Sequence, residues 1–308
     1  MTCPRAFCGR RCCGAAAIAK VGRLEQNNGL LQIVGLLPEL QVKEKPKQNP
    51  SHETTIMIPD IQAYLDRIGC QGPLAPTAET LCALQVAHLQ TVPFENLSIH
   101  AGQPIVLDTD SLFEKVVVQR RGGFCYELNG LFAGLLRALG FTVGMLSAEV
   151  ARADGSFSPE YDHMALLVTL ADRWLADVGF GDSFREPLRL DERGEQDQGD
   201  RTYRIEEDAP FFIVLQRQGA DGPWERQYRF TLQPHEFPDY AARCLFHQTS
   251  PESHFTQKRV CSLATPDGRV TLSDLRLITT RAGVRQERML ENEEEYAATL
   301  NDLFGVVV

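Results

Sequence analysis

Apolar and polar positions along this chain follow two different periods, and the change comes near Phe141. Before it, apolar residues recur three and four apart, the spacing that gathers side chains onto one face of a helix. Residues 58–69 read as such a helix, stopped by Gly69, and 80–89 and 110–117 as two more. A fourth begins near Cys125 and runs through 130–139 to a stop at Gly140, with Leu128, Leu131, Phe132 and Leu135 burying one face. After Phe141 the texture turns to short apolar runs of strand length, separated by turn residues. These strands fall at 143–146, after His163, and at 174–181, 202–206, 211–216 and 225–232. Residues 191–201 carry no apolar side chain and read as a surface loop, and 216–223 as a turn. Short strands at 260–264, 269–272, 275–279 and 284–289 precede a closing helix at 291–303, whose early acids suit its positive end. Helices first, strands next and a mixed tail give an α+β architecture.

The first 56 residues stand apart from this pattern. Arg5, Arg10, Arg11, Lys20 and Arg23 precede the first acid, Glu25, in the manner of a transit peptide. Residues 43–50 are polar and proline-bearing, as linkers are. Met57 then opens the first helix, so residues 1–56 are expected to be an extension, disordered or artefactual. With 43% apolar and 23% charged residues, the chain has the balance of a globular protein able to bury its own core. A formal charge of −10 argues against non-specific nucleic-acid binding. No apolar run reaches the roughly eighteen residues of a membrane span. Of nine cysteines, Cys3, Cys8, Cys12 and Cys13 crowd the start, and Cys70, Cys82, Cys125, Cys244 and Cys261 are scattered singly. An odd count without a secretory signal points to a reducing, cytoplasmic compartment. The early cluster lacks the second ligand pair of a zinc finger, and no metal is expected.

One scattered cysteine sits where chemistry is favoured, in Arg121-Gly122-Gly123-Phe124-Cys125-Tyr126-Glu127-Leu128-Asn129. The double glycine permits a sharp turn or close ligand approach. A helix starting at Cys125 aims unpaired N–H groups and positive dipole at the sulfur, which favours the thiolate. Downstream, Asp162 and His163 lead into the apolar run 164–170, and Asp177 lies among apolar residues in 174–181. A charge in such a run needs a partner. A hairpin would hold His163 and Asp177 on one face of one sheet, in a register that the sequence leaves open. Paired, the carboxylate orients the imidazole, and the imidazole draws the proton from Cys125. The same three residue types in that order serve a cysteine hydrolase or a transglutaminase-like enzyme. A non-catalytic binding protein of this fold would be expected to have lost one of them.

In these residues and their flanks the chain resembles the arylamine N-acetyltransferase family. Four segments carry the likeness: 92–97 (Val-Pro-Phe-Glu-Asn-Leu), 121–129, 163–182 with Asp177-Val178-Gly179-Phe180-Gly181, and 250–255 (Ser-Pro-Glu-Ser-His-Phe). The resemblance spans roughly residues 57–308 and favours acetyl transfer over the hydrolase reading. It implies acetyl-coenzyme A as acyl donor, no metal, and an aromatic amine or hydrazine as acceptor. The implied route is ping-pong transfer through an acetyl-cysteine, in xenobiotic metabolism. By likeness Cys125, His163 and Asp177 are the catalytic residues. Phe94, Phe180 and, more loosely, Phe255 line the acceptor pocket, with Phe124 as a further aromatic wall, and Gly181 lies beside the cofactor. Glu95 and Arg121 look like an ion pair bracing the cysteine loop. Arg120, Lys258 and Arg259 are candidates, by charge alone, for the donor's phosphates. The implied fold is a helical bundle at 57–142 carrying the cysteine, a β-barrel at 143–250 carrying His163 and Asp177, and a C-terminal α/β lid at 251–308. The Cys-His-Asp arrangement resembles that of a cysteine protease.

Overall fold

The computed structural model describes residues 58–72 and 74–307; the expectations placed on residues 1–56, with their cysteine cluster, lie outside them. The first helix, Ile61–Ile68, is capped by Asp60, whose side chain accepts the Ala63 N–H at 3.0 Å. Gly69, at φ 73°, then turns the chain out of it. Thr77 caps Ala78–Thr91 in the same way, through the Thr80 N–H. Residues 110–117, read as one helix, divide into Thr109–Phe113 and a π-helical turn, Glu114–Val118, where the Gln119 N–H reaches the Glu114 carbonyl. That wider turn carries Lys115, whose ammonium lies 2.7 Å from Glu127.

The Cys125–Ala138 helix departs from its predicted amphipathic form. Every residue from Cys125 to Leu136 is buried, because helices pack on one side and the strands Thr142–Val150 and His163–Thr169 on the other. Leu128, Leu131 and Phe132 have no exposed surface, and cutting such a leucine to alanine costs about 2–5 kcal/mol. The helix that begins at the cysteine is therefore a fixed platform.

Eight antiparallel strands form a nearly closed, barrel-like sheet. Across it they run Leu188–Arg189, Arg173–Ala176, His163–Thr169, Thr142–Val150, Glu225–His235, Phe211–Gln218, Arg201–Asp208 and Gln196–Asp197. Its two edges approach each other through Gln196, whose side chain bonds the Arg189 N–H at 2.8 Å and carbonyl at 3.0 Å. Leu146, Ala165, Leu175, Val214 and Phe230 fill the interior. Two expectations need correction. The strand read at 174–181 ends at Ala176, so Asp177 lies in the following loop, not opposite His163 on the sheet. The loop read at 191–201 contains the short edge strand Gln196–Asp197.

A second sheet of five antiparallel strands runs Phe94–Glu95, Val260–Thr265, Gly268–Ser273, Arg276–Arg281, Val284–Met289. The Glu293–Phe304 helix packs on its Val260–Thr265 strand, and Leu300 and Phe304 share one buried cluster with Cys261, Val270 and Leu272. Between the sheets run three unpredicted helical pieces, Phe237–Tyr240, Ala241–Thr249 and His254–Gln257. Among the described residues no helix is long and apolar enough to cross a membrane.

Candidate active site

The double glycine lets the cysteine loop lie against residues 93–95. A Cβ on Gly122 would stand 1.9 Å from the Pro93 carbonyl oxygen, and one on Gly123 2.7 Å from the Glu127 carboxylate. The close approach is therefore to the protein's own backbone and Glu127, not to a ligand. Buried Glu95 pairs with Arg121 at 2.9 Å and accepts the Leu97 N–H at 2.6 Å, the brace expected for this loop. Glu127 reaches back to accept the Phe124 N–H at 3.0 Å and fixes the helix start. Burial raises the Glu127 carboxyl, and nearby Lys115 opposes the shift.

His163 opens its strand and Asp177 follows the end of the next, yet the two meet: His163 Nε2 lies 2.7 Å from Asp177 Oδ2. Three more donors converge on that carboxylate. Asn129 Nδ2 and the Gly179 N–H each reach Oδ1 at 2.9 Å, and the Tyr228 hydroxyl reaches Oδ2 at 3.1 Å. Asn129 also donates to the Met164 carbonyl at 2.6 Å and accepts the Val178 N–H at 2.9 Å, so one buried amide joins helix, strand and loop. Gly179 lies so close to the helix start that a Cβ there would stand 2.7 Å from the Cys125 Cα. Since Nε2 is engaged by Asp177, Nδ1 is the ring nitrogen left for a thiol.

Cys125 and His163 line one cavity of about 210 Å³, walled by Phe94, Phe180 and Phe255 and bounded by Val150, Asp162, Gly179, His247 and His254. Phe124 is not part of that wall. It is fully buried and packs edge-on against Tyr126 and Phe255, at 5.0 and 5.5 Å between ring centroids, so it backs the wall. Gly181, at φ 89°, lies against the Phe94 ring just outside the lining. Arg120, Lys258 and Arg259 do not line the cavity, and Arg259 instead pairs with Glu293 at 2.7 Å and stacks over Tyr296.

Two influences meet at the thiol. Cys125 does begin the helix, but burial pushes its thiol well above the ordinary range. The Met164 N–H opposes that shift, while the Asp162 and Asp177 charges add to it. Burial and the helix start thus act on the thiol in opposite directions, and a base within reach would favour the thiolate. Among the described residues no cluster of histidine, cysteine and carboxylate is arranged to hold a metal ion. Sequence reasoning missed Tyr228, which is distant in the chain, and the work of Asn129, although it had marked Asn129 within the cysteine motif.

This fold has known counterparts. The profile of a family described as N-acetyltransferase matches residues 77–308. The chain is 33% identical over 274 residues to the arylamine N-acetyltransferase, pineal gland isozyme NAT-3, of Gallus gallus, covering 81% of this chain and 94% of that protein. It is 34% identical over 253 residues to the proansamycin X synthase of Amycolatopsis mediterranei, covering 79% and 95%. Among solved structures, the arylamine N-acetyltransferase of Salmonella typhimurium superposes with a TM-score of 0.77 at 32% identity, over 81% of this chain and 92% of that one. The Mycobacterium marinum arylamine N-acetyltransferase in complex with CoA gives 0.74 at 32% identity, over 80% and 93%. The chain belongs to the arylamine N-acetyltransferase family, and it is an acyltransferase.

Proposed function

We propose that this enzyme moves an acetyl group from acetyl-coenzyme A to an aromatic amine or hydrazine, in two half-reactions joined by an acetylated Cys125. The observation that carries the reading is the shared cavity, lined by both Cys125 and a His163 imidazole that is bound through Nε2 to Asp177. In the first half, His163 Nδ1 takes the Cys125 proton as sulfur attacks the thioester carbonyl. The tetrahedral intermediate collapses, its bond to the coenzyme's sulfur breaks, and the imidazolium returns the proton to that sulfur. One thioester replaces another, so this step is close to balanced. In the second half, the amine nitrogen attacks the acetyl carbon, the bond to Cys125 breaks, and His163 carries the nitrogen's proton to the departing sulfur.

Each group has a stated task. Asp177 orients the ring and stabilises the imidazolium in both halves. The Cys125 N–H, in the first turn of the helix where N–H groups have no intrahelical partner, is the donor for the developing oxyanion. Aromatic amines are unprotonated at neutral pH, and Phe94, Phe180 and Phe255 give an aromatic ring apolar walls in a cavity large enough for one. The names of the relatives and the coenzyme complex of one neighbour support the choice of donor and acceptor. Mixing the enzyme with acetyl-coenzyme A and an arylamine tests the reading. Sustained coenzyme A release that depends on the amine is expected. Equal release without it would indicate a thioester hydrolase instead.

A further inference from the structure

The helix that begins at Cys125 grips the chain on both sides of His163. Asn129 donates to the Met164 carbonyl, just after the histidine. Tyr126, three residues before Asn129 and so on the same face of the helix, reaches the segment just before it. Its hydroxyl donates to the Tyr161 carbonyl at 2.7 Å, with the Asp162 carbonyl at 3.3 Å. The Tyr126 ring has no exposed surface and packs edge-on against Phe124 and at a tilt against Tyr240. Burial pushes its hydroxyl well above the ordinary range, so the proton that makes the bond stays in place.

The segment so gripped is strained. Tyr161 sits at φ 64°, in the left-handed region that a bulky side chain rarely enters. Three hydrogen bonds hold it there. Tyr126 donates to its carbonyl, its N–H donates to Ser147 Oγ at 2.7 Å, and its own hydroxyl lies 3.1 Å from His235 Nδ1. Of these, the first alone comes from the helix that carries the nucleophile. Two residues further on, the chain delivers His163 to the cavity that Cys125 lines. We infer that the Tyr126 hydroxyl is a positioning group: by holding Tyr161 in its left-handed conformation, it sets His163 against Cys125. If Tyr161 relaxed to negative φ, the peptide planes leading into His163 would turn and carry the imidazole with them. Tyr126 does not line the cavity, so it acts through the base and not on the substrate. The inference rests on the reading of Cys125 as acyl carrier with His163 as its base.

The test is Tyr126→Phe, which keeps the ring and removes the hydroxyl. Acetylation of the enzyme by acetyl-coenzyme A, read as the burst of coenzyme A release, should slow about tenfold. Both half-reactions use His163, so kcat should fall with it while KM for aniline stays within about twofold. The midpoint of Cys125 alkylation by iodoacetamide should move to higher pH, because a displaced imidazole favours the thiolate less. Asparagine enters the left-handed region more readily than tyrosine. On a Tyr161→Asn background the same hydroxyl deletion should therefore cost about threefold or less. An unchanged burst rate and alkylation midpoint in Tyr126→Phe overturn the inference, as does an equal cost on the asparagine background. A loss of rate that only tracks the unfolded fraction, followed by circular dichroism, overturns it as well. Peptide mapping of the wild type after acetyl-coenzyme A separates the two levels. Acetyl on Cys125 with unchanged rates in Tyr126→Phe removes the tether only, whereas no acetyl on Cys125 removes the underlying reading and the tether with it.

Discussion

Asp162 and His163 are neighbours in the chain, and each enters an aspartate–histidine pair with a residue from elsewhere, to opposite effect. His163 binds Asp177 through Nε2 and keeps Nδ1 for the cavity, while His247 binds Asp162 through Nε2 and gives Nδ1 to Ser253. The two pairs thus differ in the second nitrogen, not in the carboxylate: one is left to the cavity and the other is tied to a hydroxyl. A third histidine marks the other limit. His88 is buried between Tyr64 and Phe132, and neither ring nitrogen has a partner among the described residues. Burial, with Arg67 nearby, lowers it to about 3 and keeps it neutral.

This contrast can be broken most sharply at His163. His163→Gln should lower kcat/KM for the amine-dependent reaction by about a thousandfold or more, because the buried thiol loses its base. Alkylation of Cys125 by iodoacetamide at pH 7 should slow in parallel, and an unchanged alkylation rate would show that the thiolate forms without the imidazole. Asp177→Asn comes next, at about a hundredfold in kcat, since the amide can no longer stabilise the imidazolium. Near-normal turnover in that variant, followed by coenzyme A release, would remove Asp177 from the proton path. Tyr228→Phe withdraws one of the four donors to Asp177 and should cost about tenfold. A fall confined to KM would show that the hydroxyl serves substrate, not the carboxylate.

The smallest effect concerns stability. His88 is depressed from 6.5 to about 3, so the folded state refuses a proton that the unfolded chain accepts. Its contribution is whole above the unfolded value and is lost as pH falls through that window, at roughly 1.4 kcal/mol per pH unit. Urea unfolding at pH 7 and pH 5 should therefore differ more in the wild type than in His88→Leu, by about 2 kcal/mol. Equal differences in the two proteins would mean that His88 is protonated in the fold.

The sequence made the reacting types legible because their chemistry is local: a cysteine at a helix start, a histidine entering a strand, an aspartate among apolar neighbours. Their support was not legible. Tyr228 is separated from Asp177 in the chain by four intervening strands, and no local feature marks it. Phe124 adjoins the cysteine in the chain, but at the helix cap its ring turns inward to Tyr126. The strand read through Asp177 fails because Gly179 must lie against the helix start and Gly181 takes a positive φ, neither of which a ladder accommodates. Phe94–Glu95 is two residues long, too short for any period, and becomes a strand by pairing with Val260–Thr265. Ala241–Thr249 buries only Cys244 and His247, so its sequence carries no apolar stripe to announce a helix.

The central claim is that the Cys125 sulfur carries the acetyl group. Rapid mixing with acetyl-coenzyme A in the absence of amine, followed by acid quench and peptide mapping, tests it most directly. The account predicts one acetyl group per chain, on the peptide containing Cys125, discharged when aniline is added. Acetyl found on another residue, or amine acetylated with Cys125 never labelled, would contradict it.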